Sequence, residues 1–72
     1  MHYDYSKLIG RIVEKKKTRR AFSQEIGMSE RSLTLKLHGK TSWKQSEIEK
    51  ACAILDIDPH EIPVYFFALK VQ

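Results

Sequence analysis

Apolar side chains recur along the chain at three- and four-residue spacings, the period of a helix that buries one of its sides. The longest stripe comprises Tyr5, Leu8, Ile9, Ile12 and Val13. Shorter stripes follow around Phe22 and Ile26, around Leu33 and Leu37, and around Ala51 and Leu55. The pattern predicts four amphipathic helices, over residues 5–16, 19–26, 30–37 and about 44–55.

Polar and glycine residues mark where the second and third helices begin and end. Thr18 and Ser29 stand immediately before them, in the position where a side-chain oxygen accepts from a free backbone N–H. Gly27 follows the second helix, and glycine readily adopts the left-handed conformation of a helix end. Two capping-box spacings compete for the start of the fourth helix, Ser42 with Gln45 and Ser46 with Glu49.

The last third of the chain carries a separate start signal. Asp58 is placed to cap a fifth helix, with Pro59 at its first position and Glu61 completing a capping box. Pro63 lacks the N–H that a continuing helix needs, so this helix is predicted to be a single turn. The β-branched and aromatic tail, residues 64–72, is predicted to be extended.

Residues 18–38 have the organisation of a helix-turn-helix unit. Gly27 allows the tight turn, and Phe22 and Leu33 are placed to pack the two helices together. The second helix of such a unit projects its free face outward, with the size to enter a DNA major groove. The predicted fold is all-α, with five short helices around a central helix-turn-helix in a single domain over residues 1–72, plus the extended tail.

The composition fits one small globular domain with a polyanionic partner. The 72 residues are 42% hydrophobic, which is too apolar for a disordered chain. The 13 Lys and Arg residues exceed the 9 Asp and Glu residues, for a net charge of +4. Residues 11–20 hold six of the basic side chains against one glutamate. This basic run is either a solvated helix end or a patch that contacts phosphates.

Nothing in the sequence indicates catalysis, a metal or a cofactor, and we expect a protein that is not an enzyme. The single cysteine, Cys52, lies on an apolar stripe, so it is predicted to be buried and inert. It has no partner for an internal disulfide, which fits a reducing cytoplasm. The three histidines are scattered without a metal-ligand spacing. No apolar run approaches the roughly 20 residues of a membrane span, so no membrane association is expected.

Several segments resemble the small five-helix regulators of temperate phages, the Cro and CI-type repressor superfamily with its lambda-repressor-like fold. They are YDYSKLIGRI, SERSLTLKLHGK, WKQSEI and the YFF…KVQ tail. Within that superfamily they are most similar to the modulator of repression (MOR) antirepressor proteins of lactococcal temperate phages. The resemblance covers nearly the whole chain. It implies a regulator of the lysis–lysogeny switch, in the cytoplasm of the bacterial host, that engages the phage CI repressor.

Two residues of the third predicted helix depart from a simple DNA reader. Glu30, at its leading end, could accept from a cytosine amino group but would repel nearby phosphates. It could equally do no more than balance the helix dipole. Leu35 lies opposite the buried stripe and is expected to be exposed. It could touch a thymine methyl group or a protein surface, or be an isolated surface leucine.

The predicted binding face combines the start of the second helix with the third helix and the loop that follows. It comprises Arg19, Arg20, Ser29, Glu30, Arg31, Thr34, Leu35, Lys36, His38 and Lys40. Two partners compete for this face: the N-terminal domain of the CI repressor, or operator DNA as in a Cro-type repressor. Trp43 either belongs to the core or anchors an interface. The tail aromatics either belong to the core or mediate a weak self-association.

Overall fold

The computed structural model describes residues 2–70, which form five α-helices and one short 3₁₀ turn. The helices are α1 (Ser6–Lys16), α2 (Arg19–Ile26), α3 (Glu30–Leu37), α4 (Gln45–Leu55) and α5 (Ile62–Phe66), with the 3₁₀ turn at Pro59–Glu61. The predicted all-α class with five helices is confirmed. Among the described helices, none has the length and apolar character needed to cross a membrane.

The sequence predicts the bounds of α2 and α3 correctly, because both ends are set by local chemistry. The Thr18 hydroxyl accepts from the Ala21 N–H over 3.1 Å, and the Ser29 hydroxyl accepts from the Ser32 N–H over 3.0 Å. Gly27 ends α2 in the left-handed conformation, with φ +79°. A side chain is strained at that φ, so glycine suits the turn.

The start of α4 differs from both capping boxes that the sequence offers. The carboxylate of Glu47 accepts from the backbone N–H of Lys44 over 2.8 Å, and the helix begins at Gln45. Neither Ser42 nor Ser46 caps the helix with its side chain. The same carboxylate also pairs with the Lys36 ammonium of α3, so Glu47 connects the start of α4 to another helix.

Pro63 begins a helix instead of ending one, which corrects the expectation of an extended tail from residue 64. It occupies the second position of α5, where the N–H that proline lacks has no intrahelical partner to lose. Val64, Tyr65 and Phe66 are therefore helical. Extended backbone is confined to residues 68–70 of the described tail, and residues 71–72 lie outside the described residues.

The two ends of the described chain meet in a short antiparallel bridge. Tyr3 lies opposite Leu69, and the flanking bonds run from the Asp4 N–H to the Ala68 carbonyl at 2.6 Å and from the Lys70 N–H to the His2 carbonyl at 3.0 Å. This is the one β pairing within residues 2–70.

All five helices and the segment before α5 contribute to one hydrophobic core. Its buried members are Tyr5, Leu8, Ile12, Phe22, Ile26, Leu33, Leu37, Ala51, Leu55, Ile57, Tyr65 and Phe66. Phe22 and Leu33, predicted to pack α2 against α3, are both 0% exposed. Of the three consecutive tail aromatics, the first two are buried and Phe67 is exposed. The helical backbone of α5 explains why the rings divide in this way, since successive helical residues point in different directions.

Candidate partner-binding face

The leading end of α3 presents two exposed side chains of opposite charge, Glu30 and Arg31. The cap at Ser29 fixes where the helix begins and leaves both on its first turn. A carboxylate there interacts favourably with the positive end of the helix dipole. Within residues 2–70, neither Glu30 nor Arg31 forms an ion pair with another side chain. Both charges are therefore open to a partner.

The middle of α3 is less exposed than the sequence indicates. Thr34 and Leu35 are both half-buried, and the expectation that Leu35 is fully exposed is wrong. Their spacing still places Thr34 one turn after Glu30, and Leu35 one turn after Arg31. The Leu35 carbonyl accepts from the Lys40 N–H over 2.8 Å, so the loop after α3 folds back beside this residue. Leu35 offers a partner a limited apolar area.

Lys36 does not belong to the face, which corrects the sequence prediction. The residue is 8% exposed. Its ammonium Nζ donates to the Ser42 carbonyl over 2.8 Å and lies 3.1 Å from a carboxylate oxygen of Glu47. Burial alone would raise the pKa of Glu47, but the bonds from the Lys44 N–H and from Lys36 outweigh it and hold that pKa below its ordinary value. The charge of Lys36 is thus neutralised inside the protein.

His38 and Lys40 are exposed in the loop that follows α3. The His38 N–H donates to the Thr34 carbonyl over 3.0 Å, so His38 continues the surface of the helix. Gly39 then turns the chain with φ +75° and brings Lys40 back beside the last turn of the helix. These two residues extend the face beyond the C-terminus of α3.

Basic side chains also stand at the start of α2. Arg20 is exposed and Arg19 is half-buried. Before them, Lys16 is paired with Glu25 over 2.8 Å. Lys15 and Lys17 are exposed and form no ion pair within residues 2–70. The basic run thus retains a group of free charges at the connection between α1 and α2.

Trp43 packs inward, which favours a place at the edge of the core over a role as an exposed anchor. Its ring meets that of Phe66 edge to face, with 5.2 Å between the ring centroids. The indole Nε1 is buried and has no hydrogen-bond partner among residues 2–70. Trp43, Phe66, Tyr5 and Lys40 help to line a surface cavity of about 370 Å³.

Glu47 and the backbone carbonyl of Ser42 draw Lys36 away from the face. The sequence analysis singles out neither of them for this role. Glu47 has one recognisable signal, because it stands where an acidic residue often closes a helix start. The Ser42 carbonyl has none, since a backbone acceptor exists at every residue.

The single cysteine is poorly suited to act as a nucleophile in this structure. Burial raises the pKa of the Cys52 thiol, which keeps it protonated and poorly nucleophilic. Within residues 2–70, no cluster of three or more His, Cys, Asp or Glu side chains could hold a metal ion. The face on α2, α3 and the following loop is the candidate functional site that the sequence and the geometry share.

The chain is similar to known proteins over nearly its whole length. Residues 1–69 match the family described as "Protein of unknown function (DUF739)". Among solved structures, the chain is similar to the solution structure of the modulator of repression (MOR) of the temperate bacteriophage TP901-1 from Lactococcus lactis. The two are 49% identical, the match covers 100% of this chain and 97% of that one, and the TM-score is 0.82. No curated protein matches the chain.

Proposed function

The chain belongs to the DUF739 family and to the same group of phage regulators as the modulator of repression, and on that premise we propose that it is an antirepressor. It binds the N-terminal, DNA-binding domain of its phage's CI repressor and so shifts the lysis–lysogeny switch. The homologue's role in repression supports a regulatory role for this chain. We assign the binding of the repressor domain to the face on α3.

The observation that carries the proposal is the free carboxylate of Glu30 at the leading end of α3. It is exposed and forms no ion pair within residues 2–70. A helix that enters a DNA groove brings this end close to phosphates, which repel a carboxylate. A DNA-binding domain presents cations of its own, because it has to neutralise phosphates. Glu30 therefore complements a repressor surface better than it complements DNA.

The burial of Lys36 strengthens the same conclusion. Of the three charged side chains on α3, Glu30 and Arg31 are exposed, while the charge of Lys36 is paired inside the protein with Glu47. The exposed charges of α3 consequently balance. A helix that reads DNA usually carries an excess of cations for its phosphate contacts. Half-buried Leu35 adds a small apolar contact area, as the centre of a protein interface requires.

Chemical-shift mapping tests this proposal directly. Isotope-labelled protein is titrated with the unlabelled N-terminal domain of the cognate CI repressor. We expect the amide signals of residues 29–40 to shift together and to saturate, while those of α4 and α5 stay in place. Saturable shifts confined to α4, α5 or the terminal bridge would contradict the proposal, as would the absence of any shift at domain concentrations well above those of the protein.

Operator DNA is the second candidate, and one observation favours it. Lys15, Lys17 and Arg20 are exposed and unpaired within residues 2–70, next to the start of α2. Backbone N–H groups at a helix start also attract phosphate. A Cro-type repressor would place this end of α2 on the DNA backbone and use Arg31, Thr34 and His38 on bases. A steep loss of affinity with salt would identify this mode.

A further inference from the structure

One buried ammonium joins three parts of the molecule beside the partner-binding face. Lys36, on the last turn of α3, donates to the Ser42 carbonyl over 2.8 Å and pairs with Glu47 over 3.1 Å. The same carboxylate accepts from the Lys44 N–H over 2.8 Å. The two charged side chains are 11% and 22% exposed. A single cation thus connects α3, the following loop and the first turn of α4.

The loop has few other restraints between Lys40 and Lys44. Within residues 2–70, the one hydrogen bond to a backbone atom of residues 41–43 comes from Lys36 Nζ. This stretch is also held by the packing of Trp43 against the core, where its ring meets that of Phe66. Without the ammonium, the path of the chain from Lys40 to α4 would depend on that packing and on the bond from the Lys44 N–H to Glu47.

The stability that the network contributes does not by itself explain why its members are charged. Two charges lose hydration when they are buried, and a pair of well-packed apolar side chains often stabilises a protein equally well. What the network supplies is a single geometry, because a charged pair with a carbonyl acceptor is satisfied in one arrangement only. That geometry fixes the loop that leaves the face at His38 and Lys40.

We infer that Lys36 is a positioning residue for the partner-binding face: it touches no partner, and it holds the loop after α3 in the shape that the partner recognises. The expected effect of Lys36 on binding rests on the proposed function. Its effect on the shape of the loop rests on the contacts described above and is tested in the free protein.

The test compares Lys36→Met, Lys36→Arg and two controls. Lys7→Met removes one exposed positive charge from α1, away from the face. Lys40→Met removes a charge that the proposal places in direct contact with the partner. Amide shifts and hydrogen exchange are measured in each free protein. Affinity for the CI N-terminal domain is then measured by calorimetry at several salt concentrations.

For Lys36→Met we expect altered shifts and faster exchange at residues 41–44, with the signals of α1 and α2 unchanged. Its affinity should fall about tenfold, the scale on which residues without ligand contact alter binding, and the salt dependence should stay that of the wild type. Lys36→Arg should restore most of the affinity. Lys40→Met should reduce the salt dependence of the affinity. Lys7→Met should change neither the amide signals of the loop nor the affinity.

Two results would overturn the inference: unchanged loop signals in Lys36→Met, or a salt dependence reduced as in Lys40→Met, which would make Lys36 a direct contact. If Lys36→Met does not fold, the double variant Lys36→Met with Glu47→Met removes both charges and carries the same test. Failure of the wild type to bind the domain would contradict the proposed function, while the loop measurements would still decide the role of Lys36.

Discussion

Arg11 on α1 donates from its Nε to the carbonyl oxygen of Leu55, the last residue of α4, over 2.9 Å. A second guanidinium nitrogen reaches the carbonyl of Asp56 over 2.7 Å. Carbonyls at the end of a helix lack intrahelical partners, and a cation there also balances the helix dipole. The first basic residue of the run over residues 11–20 therefore has an internal role, and the charges free to meet a partner lie further along the run.

Replacing Arg11 should destabilise the fold without touching the binding face. Arg11→Met keeps the aliphatic stem and removes the bonds to both carbonyls, so the free energy of unfolding should fall by about 2 kcal/mol, as for hydrogen bonds to charged groups. Urea denaturation measures the change. The matched control is Lys15→Met, one turn further along α1, which is exposed and should stay within about 0.5 kcal/mol of the wild type. Equal stability of the two variants would contradict the capping role.

Phe22 tests the packing of α2 on α3. Its side chain is 0% exposed, so Phe22→Ala removes a fully buried ring and should cost about 3–5 kcal/mol. A domain of this size has a total stability of similar magnitude. We expect a circular-dichroism melt that is shifted far down or abolished. Val13→Ala, at a position that is 50% exposed, serves as the control and should melt near the wild-type temperature. A normal melt for Phe22→Ala would show that this ring does not hold the core together.

The pH dependence of stability should report the pair of Glu47 and Lys36. Burial alone would raise the pKa of Glu47, but the bonds from the Lys44 N–H and from Lys36 hold it below the ordinary value of 4.5. Ionised Glu47 therefore stabilises the fold above that pH, and the gain is lost as the pH falls through the lower, folded-state pKa. Unfolding free energies of the wild type and of Glu47→Gln should converge on acidification. Glu49, an exposed residue of the same helix, provides the control. The difference in unfolding free energy between Glu49→Gln and the wild type should not narrow as the pH falls. A difference in unfolding free energy between wild type and Glu47→Gln that stays constant with pH would refute the contribution of ionised Glu47.

Helix boundaries around the α3 face could be predicted because the signals that set them are local. Thr18, Gly27 and Ser29 act on backbone groups within a few residues, and the structure places them as the sequence indicates. The helix that contains Pro63 was not predicted, because its signal is not local. Proline is compatible both with the end of one helix and with the start of the next, and here the burial of Tyr65 and Phe66 in the core favours a helix after it.

Membership of the face was harder to predict, and Lys36 shows why. A lysine beside the buried pair Leu33 and Leu37 can extend its long stem outward or inward. The acceptors that draw it inward, Glu47 and the Ser42 carbonyl, belong to the loop and to α4, so no pattern within α3 reveals them. Arg31 is exposed because it lies on the side of α3 away from that buried pair, and Glu30 is exposed because it stands at the first position of the helix.

The sign of the effect at Glu30 separates the two candidate partners. If the face docks on a basic repressor surface, Glu30→Gln deletes an attraction, and close interfacial charge pairs couple by about 1.5 kcal/mol or more, so affinity should fall about tenfold. If the face enters DNA, the same change removes a repulsion and affinity should hold or improve. Calorimetry with the repressor domain and with operator DNA measures both. Glu61→Gln, an exposed carboxylate on the 3₁₀ turn, is the charge-matched control and should leave both affinities unchanged.

Whether the partner is the repressor domain or operator DNA is tested most directly on the wild-type protein. Its affinities for the two are measured side by side at one salt concentration. The partners are the N-terminal domain of the cognate CI repressor and the phage's operator DNA. We expect saturable binding to the repressor domain and weaker, sequence-independent binding to DNA that fades as salt is raised. Tight, sequence-specific binding to the operator, with no measurable binding to the repressor domain, would contradict this expectation.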